Sequence, residues 1–342
     1  MEKKLKEAKG KVPGKWTMKE PYIKTRFLSK QARGAIDLFR PFTLAAPIIV
    51  SMSIMVASLI YNYNSGNLNP NEISEYWWIT IGQAALTIAL VNAASNSLNQ
   101  AADVEADRIS KPYRPIPRGV IKPDSAQSLA YLLYLFALLR AITINFWFGV
   151  FIFLIIVFTV TYSLPPRMKK YLFINQVWIA IPRGLLGTLA SWSVFGSENL
   201  FNDATPWVIG GIAMTFLIGG MATKDITDAE ADRATGTHTL INTIGLKKTA
   251  LVCLPFLLFP FIFVFIFIHA NIIDAYLWPL SLFMFLSLFL FYLMLKGSES
   301  KTLENVQAWS IMYIEYIFFA LTFAVLTMFS DEVTILNFAY FG

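Results

Sequence analysis

The chain has almost none of the residues that build disulfides or soft-metal centres. Its 342 residues include one cysteine, Cys253, and two histidines, His238 and His269. A single cysteine excludes an intrachain disulfide and a cysteine-based zinc site, and two histidines are too few for a histidine-built metal centre. Any bound metal must therefore be held mainly by oxygen. Charge is scarce as well: 15% of the residues are Asp, Glu, Lys or Arg, against 56% hydrophobic, and the mean hydropathy is +0.54. A soluble domain of this length needs more polar surface, so the composition is that of an integral membrane protein. No long polar linker divides the chain. It reads as one membrane domain, 36–342, behind a basic segment, 1–35. That segment has no early apolar run, and twelve Lys or Arg stand within the first 40 residues, which excludes a signal peptide. Its basic, amphipathic end, Tyr22 to Arg40, either lies on an anionic membrane surface or forms a cytosolic tail. Nothing in the sequence calls for a nucleic-acid partner.

Nine runs are long and apolar enough to span a bilayer as helices. They lie near 42–61, 76–99, 125–145, 147–163, 172–195, 206–224, 249–270, 276–295 and 306–329. Basic residues set their orientation. All but two of the 28 Lys and Arg fall in the N-terminal tail or after spans two, four, six and eight. The opposite connections hold Glu72, Glu75, Glu198, Asp203 and Asp274. The expected fold is therefore all-α, with nine transmembrane helices, a cytosolic N-terminus and an outside C-terminus.

Two acidic clusters stand at cytosolic ends of spans. Asn92, Asn96, Asn99, Asp103 and Asp107 recur at steps of three or four along span two, which places them on one face of a helix. Asp225, Asp228 and Asp232 repeat the device after span six. The strings Asp103-Val-Glu-Ala-Asp107-Arg108 and Asp228-Ala-Glu-Ala-Asp232-Arg233 match at an offset of 125 residues, as two related halves would. Each cluster alone could be a solvated helix end. Two together are better explained by a shared cation, since like charges one turn apart destabilise a helix by about 0.2–0.5 kcal/mol. Mg²⁺ prefers one or two carboxylates with phosphate oxygens and water, so facing clusters would hold Mg²⁺ bridged by a diphosphate.

The flanking charges are basic. Arg108, Lys111, Arg114 and Arg118 follow the first cluster, interrupted by Pro112, Pro115 and Pro117, and Lys224 and Arg233 flank the second. Prolines end the helix and stiffen the loop, and arginines can clamp phosphate oxygens. Positive-inside bias alone would also put basic residues there. Arg183 differs, because it lies within span five beside Pro182 and Gly184. A charge at that depth costs at least about 2.5–3.5 kcal/mol on insertion scales. It must face the interior, either paired with Glu315 of span nine or at a cavity.

At these residues the chain resembles the UbiA superfamily of intramembrane prenyltransferases. Asn99, Asp103 and Asp107 match its first motif and Asp225, Asp228 and Asp232 its second. The run Lys111-Pro-Tyr-Arg114-Pro-Ile-Pro-Arg118-Gly119, the exit Tyr162-Ser-Leu-Pro165-Pro166-Arg167-Met-Lys169 with Asn175, and the opening Arg40-Pro41-Phe-Thr43 look like its other signatures. The resemblance covers residues about 36 to 330. It implies nine helices around a central cavity, capped on the cytosolic side. Asp103, Asp107, Asp228 and Asp232 would be catalytic, binding Mg²⁺ and an isoprenyl diphosphate with help from Asn99 and Asp225. Lys111, Arg114, Arg118, Lys169 and Lys224 would neutralise the diphosphate. Tyr162, Trp178, Asn175, Asn96 and Arg183 would line the cavity near a lipid or aromatic acceptor, with membrane lipids at the lateral opening. The Asn99-Gln100 pair, Lys224-Asp225 and Arg183-Gly184 look like the homogentisate and tocopherol branch. Lys111-Pro-Tyr-Arg-Pro-Ile-Pro resembles the chlorophyll synthase and archaeal geranylgeranylglyceryl phosphate branches. The balance favours transfer of a C20 group to geranylgeranylglyceryl phosphate, with an aromatic quinone, tocopherol or chlorophyll-type acceptor as the alternative. A cation transporter is the non-enzyme rival. Its site would lie near the bilayer midplane rather than at helix ends, and a basic rim repels cations and attracts phosphates.

Overall fold

A computed structural model describes residues 28–68, 73, 75–297 and 306–330. Most of the basic segment 1–35 and Glu72 lie outside the described residues, as do Asp331 and Glu332, two further acids that follow span nine. Everything described is helix, turn or loop. The helices are α1 (Lys30–Phe39), α2 (Pro41–Asn64), α3 (Trp77–Ala102), α4 (Val104–Ser110), α5 (Pro123–Ile142), α6 (Phe146–Ser163), α7 (Ile174–Ala180), α8 (Gly187–Gly196), α9 (Thr205–Gly220), α10 (Asp225–Ala234), α11 (Leu240–Ile244), α12 (Leu246–His269), α13 (Phe283–Lys296) and α14 (Gln307–Met328).

Among the described residues, eight helices are long and apolar enough to cross a membrane. They coincide with eight of the nine expected spans. The run expected as span five is helical from 174 to 196 but is not one regular helix. A π-helical segment, Ile181–Leu186, stands between α7 and α8. Pro182 contributes, because it lacks the N–H that a regular helix needs.

The helices pack as a ring. α2 touches α3, α3 touches α5, and α5 touches α6. The α7–α8 run connects α6 to α9, and α9, α12, α13 and α14 follow in turn until α14 returns to α2. Small residues permit the closest approaches. A Cβ on Gly184 would lie 2.3 Å from the Met214 backbone nitrogen, so only glycine lets the π segment meet α9 there. Large apolar side chains cover the outside, among them Leu132, Leu135, Phe265, Phe285, Phe289 and Phe318. In water such a belt would aggregate; in lipid it is the solvated face.

One end of the ring is polar. α4 packs against α10, and the Lys170 carbonyl accepts from the His238 N–H at 3.1 Å, tying the loop after α6 to the loop after α10. A short elbow joins α1 to α2 at Arg40, which has φ 52° ahead of Pro41. Polar residues of α3 hold that elbow. Gln100 Nε2 donates to the Leu38 carbonyl at 2.7 Å, and Asn96 Nδ2 donates to the Phe39 carbonyl and to Thr43 Oγ1, both at 2.9 Å.

Candidate active site

The polar stripe of span two is not one uninterrupted helix, as the spacing leads one to expect. α3 ends at Ala102, Asp103 adopts φ −110° and ψ 23°, and α4 starts at Val104. The break turns α4 across the mouth of the ring and against α10, which carries Asp225, Asp228 and Asp232. The two acidic clusters, 125 residues apart in sequence, thereby line one chamber of about 500 Å³.

The carboxylates of that chamber are held by cations. Asp107 is 3% exposed, and Arg114 Nη1 donates to both its oxygens at 2.9 and 2.8 Å. Lys111 contacts Asp228 across the α4–α10 junction. Lys169 contacts Asp103, which also accepts from Arg167 Nη2 at 3.0 Å and from Asn99 Nδ2 at 3.0 Å. Lys224 contacts Asp225, whose other oxygen faces Asn175 Nδ2 at 3.4 Å. Asp232 lines the chamber and makes no ion pair among the described residues. Burial pushes the Lys169 ammonium down to about 7, with Asp232 and Asp228 opposing the fall and Lys224 and Lys170 adding to it.

A second, more apolar chamber of about 200 Å³ lies against the first and shares Tyr162, Arg183, Lys224 and Tyr313 with it. Its walls include Val50, Ile88, Ile152, Phe158 and Trp178, with the small residues Ser51, Gly187 and Ser191. The Trp178 indole N–H donates to Thr161 at 2.9 Å, and its ring lies 4.6 Å from that of Phe158.

The sequence-derived residues thus converge, with one exception. Arg118 is exposed and lies outside the lining of both chambers. The alternative pairing of Arg183 with Glu315 does not occur. Glu315 is fully buried and accepts from Ser287 Oγ at 2.6 Å, while Arg183 lines both chambers. Sequence reasoning passed over three lining residues. Arg167 reaches Asp103 from a left-handed turn at φ 56°. Arg40 reaches the chambers from the elbow. Tyr313 accepts from the Ala46 N–H at 2.9 Å and donates to the Thr43 carbonyl at 2.9 Å, and its ring stacks on Trp309. The first two were visible inside motif strings; an aromatic in an aromatic-rich span gives no signal.

A magnesium ion fits this donor set. Carboxylate and amide oxygens from both motifs line the chamber, and Asn175 Oδ1 is buried there without a hydrogen-bond partner. Among the described residues no three acidic or imidazole groups form a ready metal cage. Mg²⁺ does not require one, since phosphate oxygens and water complete its octahedron.

Residues 71–321 match the UbiA prenyltransferase family. The chain belongs to this family. It is an intramembrane prenyltransferase, consistent with acidic motif helices closing a mouth above an apolar chamber. It is 30% identical over 224 residues to the digeranylgeranylglyceryl phosphate synthase of Methanosarcina mazei, covering 62% of this chain and 68% of that one. A synthase of the same name from Thermococcus gammatolerans is 27% identical over 224 residues, covering 65% and 77%. The fold of this prenyltransferase is shared with a UbiA homologue from Archaeoglobus fulgidus, whose structure is bound to GPP and Mg²⁺. The two have a TM-score of 0.66 at 18% identity, over 86% of this chain and 98% of that one.

Proposed function

We propose that this prenyltransferase moves a geranylgeranyl group from its diphosphate to geranylgeranylglyceryl phosphate. The observation that carries the reading is the packing of α4 on α10, which gathers two Asp clusters and their lysines and arginines above an apolar chamber. The similarity to digeranylgeranylglyceryl phosphate synthases supports the choice of acceptor.

In this reading the 174–196 run is span five and completes a set of nine, the N-terminus and the motif cap face the cytosol, the C-terminus lies outside, and residues 36–342 form the membrane domain. Asp103, Asp107, Asp228 and Asp232, assisted by Asn99 and Asp225, would hold Mg²⁺, which when bound would neutralise charge on the leaving diphosphate. Lys111, Arg114, Lys169 and Lys224 turn from their carboxylates toward phosphate oxygens as the diphosphate enters. Arg118, outside the lining, has no direct role. The isoprenyl tail occupies the apolar chamber, and Tyr162 and Trp178 face its allylic carbon with electron-rich rings that attract a cation without capturing it. The C1–O bond of the donor breaks, and diphosphate leaves with the electron pair. The acceptor hydroxyl oxygen bonds to C1, and its proton passes to the released diphosphate. The closed ring of helices keeps competing water out.

The test is incubation of detergent-purified protein with geranylgeranyl diphosphate and separate acceptors, with Mg²⁺ or EDTA, read by mass spectrometry. The acceptors are geranylgeranylglyceryl phosphate, homogentisate, a naphthoate and chlorophyllide. A Mg²⁺-dependent product with the glyceryl phosphate is expected. A product with an aromatic acceptor instead would overturn the acceptor assignment.

A further inference from the structure

Arg183 is a guanidinium inside the bundle to which the transfer reading above gives no role. The cap cations Lys111, Arg114, Arg167, Lys169 and Lys224 each contact an aspartate of the two motifs. Among the described residues Arg183 makes no ion pair, and the intramembrane acid Glu315 is bonded to Ser287 instead. The exposed surface of Arg183 opens into both chambers. An intramembrane charge with no protein partner marks a ligand site by default.

Three features hold it in place. The π segment Ile181–Leu186 widens the helix at this residue, as such insertions commonly do at functional sites. The Arg183 carbonyl accepts from Tyr316 Oη at 2.8 Å, fixing the backbone to α14. Gly184, next in sequence, lets the segment lie directly on Met214 of α9. Its depth is also defined. Arg183 lies eight residues beyond Asn175, the partner of Asp225. At about 1.5 Å per residue its backbone lies on the order of 10 Å along the run from that of Asn175, while its side chain still reaches the cap chamber.

We propose that Arg183 seats the anionic head of the acceptor, a phosphate monoester, beneath the diphosphate cap. The inference rests on the transfer reading above and adds the position of the second substrate. Donor diphosphate and acceptor phosphate repel each other, so the acceptor needs a cation of its own at a different depth. A guanidinium presents paired N–H groups that match two phosphate oxygens, which an ammonium does not. In geranylgeranylglyceryl phosphate the carbon bearing the phosphate ester adjoins the carbon bearing the free hydroxyl. Anchoring the phosphate therefore restricts where that hydroxyl can lie relative to the donor C1. Arg40 lines the same two chambers and faces the same head group from the elbow.

Steady-state kinetics of the full chain in detergent, with Arg183→Gln and Arg183→Lys, test this. Arg183→Gln is expected to raise the KM for geranylgeranylglyceryl phosphate at least tenfold while the donor KM changes less than twofold. Arg183→Lys should fall between it and the parent, because it keeps the charge and loses the fork. The dephosphorylated acceptor, geranylgeranylglycerol, should be a poor substrate of the parent and no worse with Arg183→Gln. If Arg183→Gln does not fold, Arg183→Lys alone must still raise the acceptor KM at least threefold. An unchanged acceptor KM, or equal losses with and without the phosphate, overturns the inference and leaves the transfer reading standing. Failure of the parent to use geranylgeranylglyceryl phosphate overturns both. Turnover of a carboxylate acceptor with the same dependence on Arg183 overturns the phosphate assignment.

Discussion

At the scale of single residues, the Asp107–Arg114 pair separates stability from catalysis. Both side chains are nearly buried, at 5% and 7% exposure. Removing one partner of a buried ion pair costs up to about 3–5 kcal/mol, the loss being greatest where no other group compensates the charge left behind. Asp107→Ala or Arg114→Ala should therefore lower the melting temperature of the purified protein by several degrees, and the double change Asp107→Leu/Arg114→Met should recover most of it without restoring turnover. Full activity in the double variant would remove Asp107 from the site. Asp228 is more open and pairs with Lys111 across two helices. Asp228→Asn should lower kcat by about 100- to 1,000-fold, the usual consequence of losing one group that stabilises developing charge, with a smaller fall in melting temperature than Asp107→Ala, because Asp228 is the more exposed acid. The acids, their basic neighbours and the asparagine stripe were all legible from spacing. Which cation holds which acid was not, since Lys111 and Asp228 are 117 residues apart and meet only through the packing of their helices.

At the scale of elements, the π segment and Gly184 govern where Arg183 points. Gly184→Ala would put its Cβ 2.3 Å from the Met214 nitrogen, and backbone cannot yield as a side-chain tip can. Overpacking of this kind costs about 1–3 kcal/mol. The expected outcome is a lower melting temperature with a raised acceptor KM, measured on the same preparation; a lower melting temperature with unchanged kinetics would uncouple Gly184 from the site. The division of the fifth hydrophobic run into α7, a π segment and α8 could not be read from hydropathy, which reports apolar content and not hydrogen-bond register. The break at Asp103 was hidden for a related reason. An i, i+4 spacing fits a continuous helix and carries no record of a break between the two residues.

At the scale of the whole molecule, the cap neutralises itself. Four of its acids already hold cations, so a divalent ion arriving alone must displace lysine or arginine. With a diphosphate, those same cations gain phosphate oxygens to bind. Mg²⁺ alone should therefore shift thermal unfolding little, and Mg²⁺ with geranylgeranyl thiodiphosphate should shift it strongly, by about 2.7 kcal/mol at a hundredfold excess over Kd. EDTA should abolish the second shift. A full shift with Mg²⁺ alone would mean that the carboxylates are available before the diphosphate arrives.

Membrane residence, the approximate spans and the candidate acids and bases follow from composition and local periodicity, because lipid demands long apolar helices and a bound diphosphate demands metals and cations. Those requirements act within a few turns of chain. The closure of the ring, the turn of α4 onto α10, the separation of Arg183 from Glu315 and the placing of Arg118 outside the lining depend on contacts between segments far apart in sequence. They come from the packing of small residues such as Gly184 against neighbouring backbone and from buried polar ties such as Asn96 to the elbow. No local pattern records these, because each is a property of two surfaces meeting.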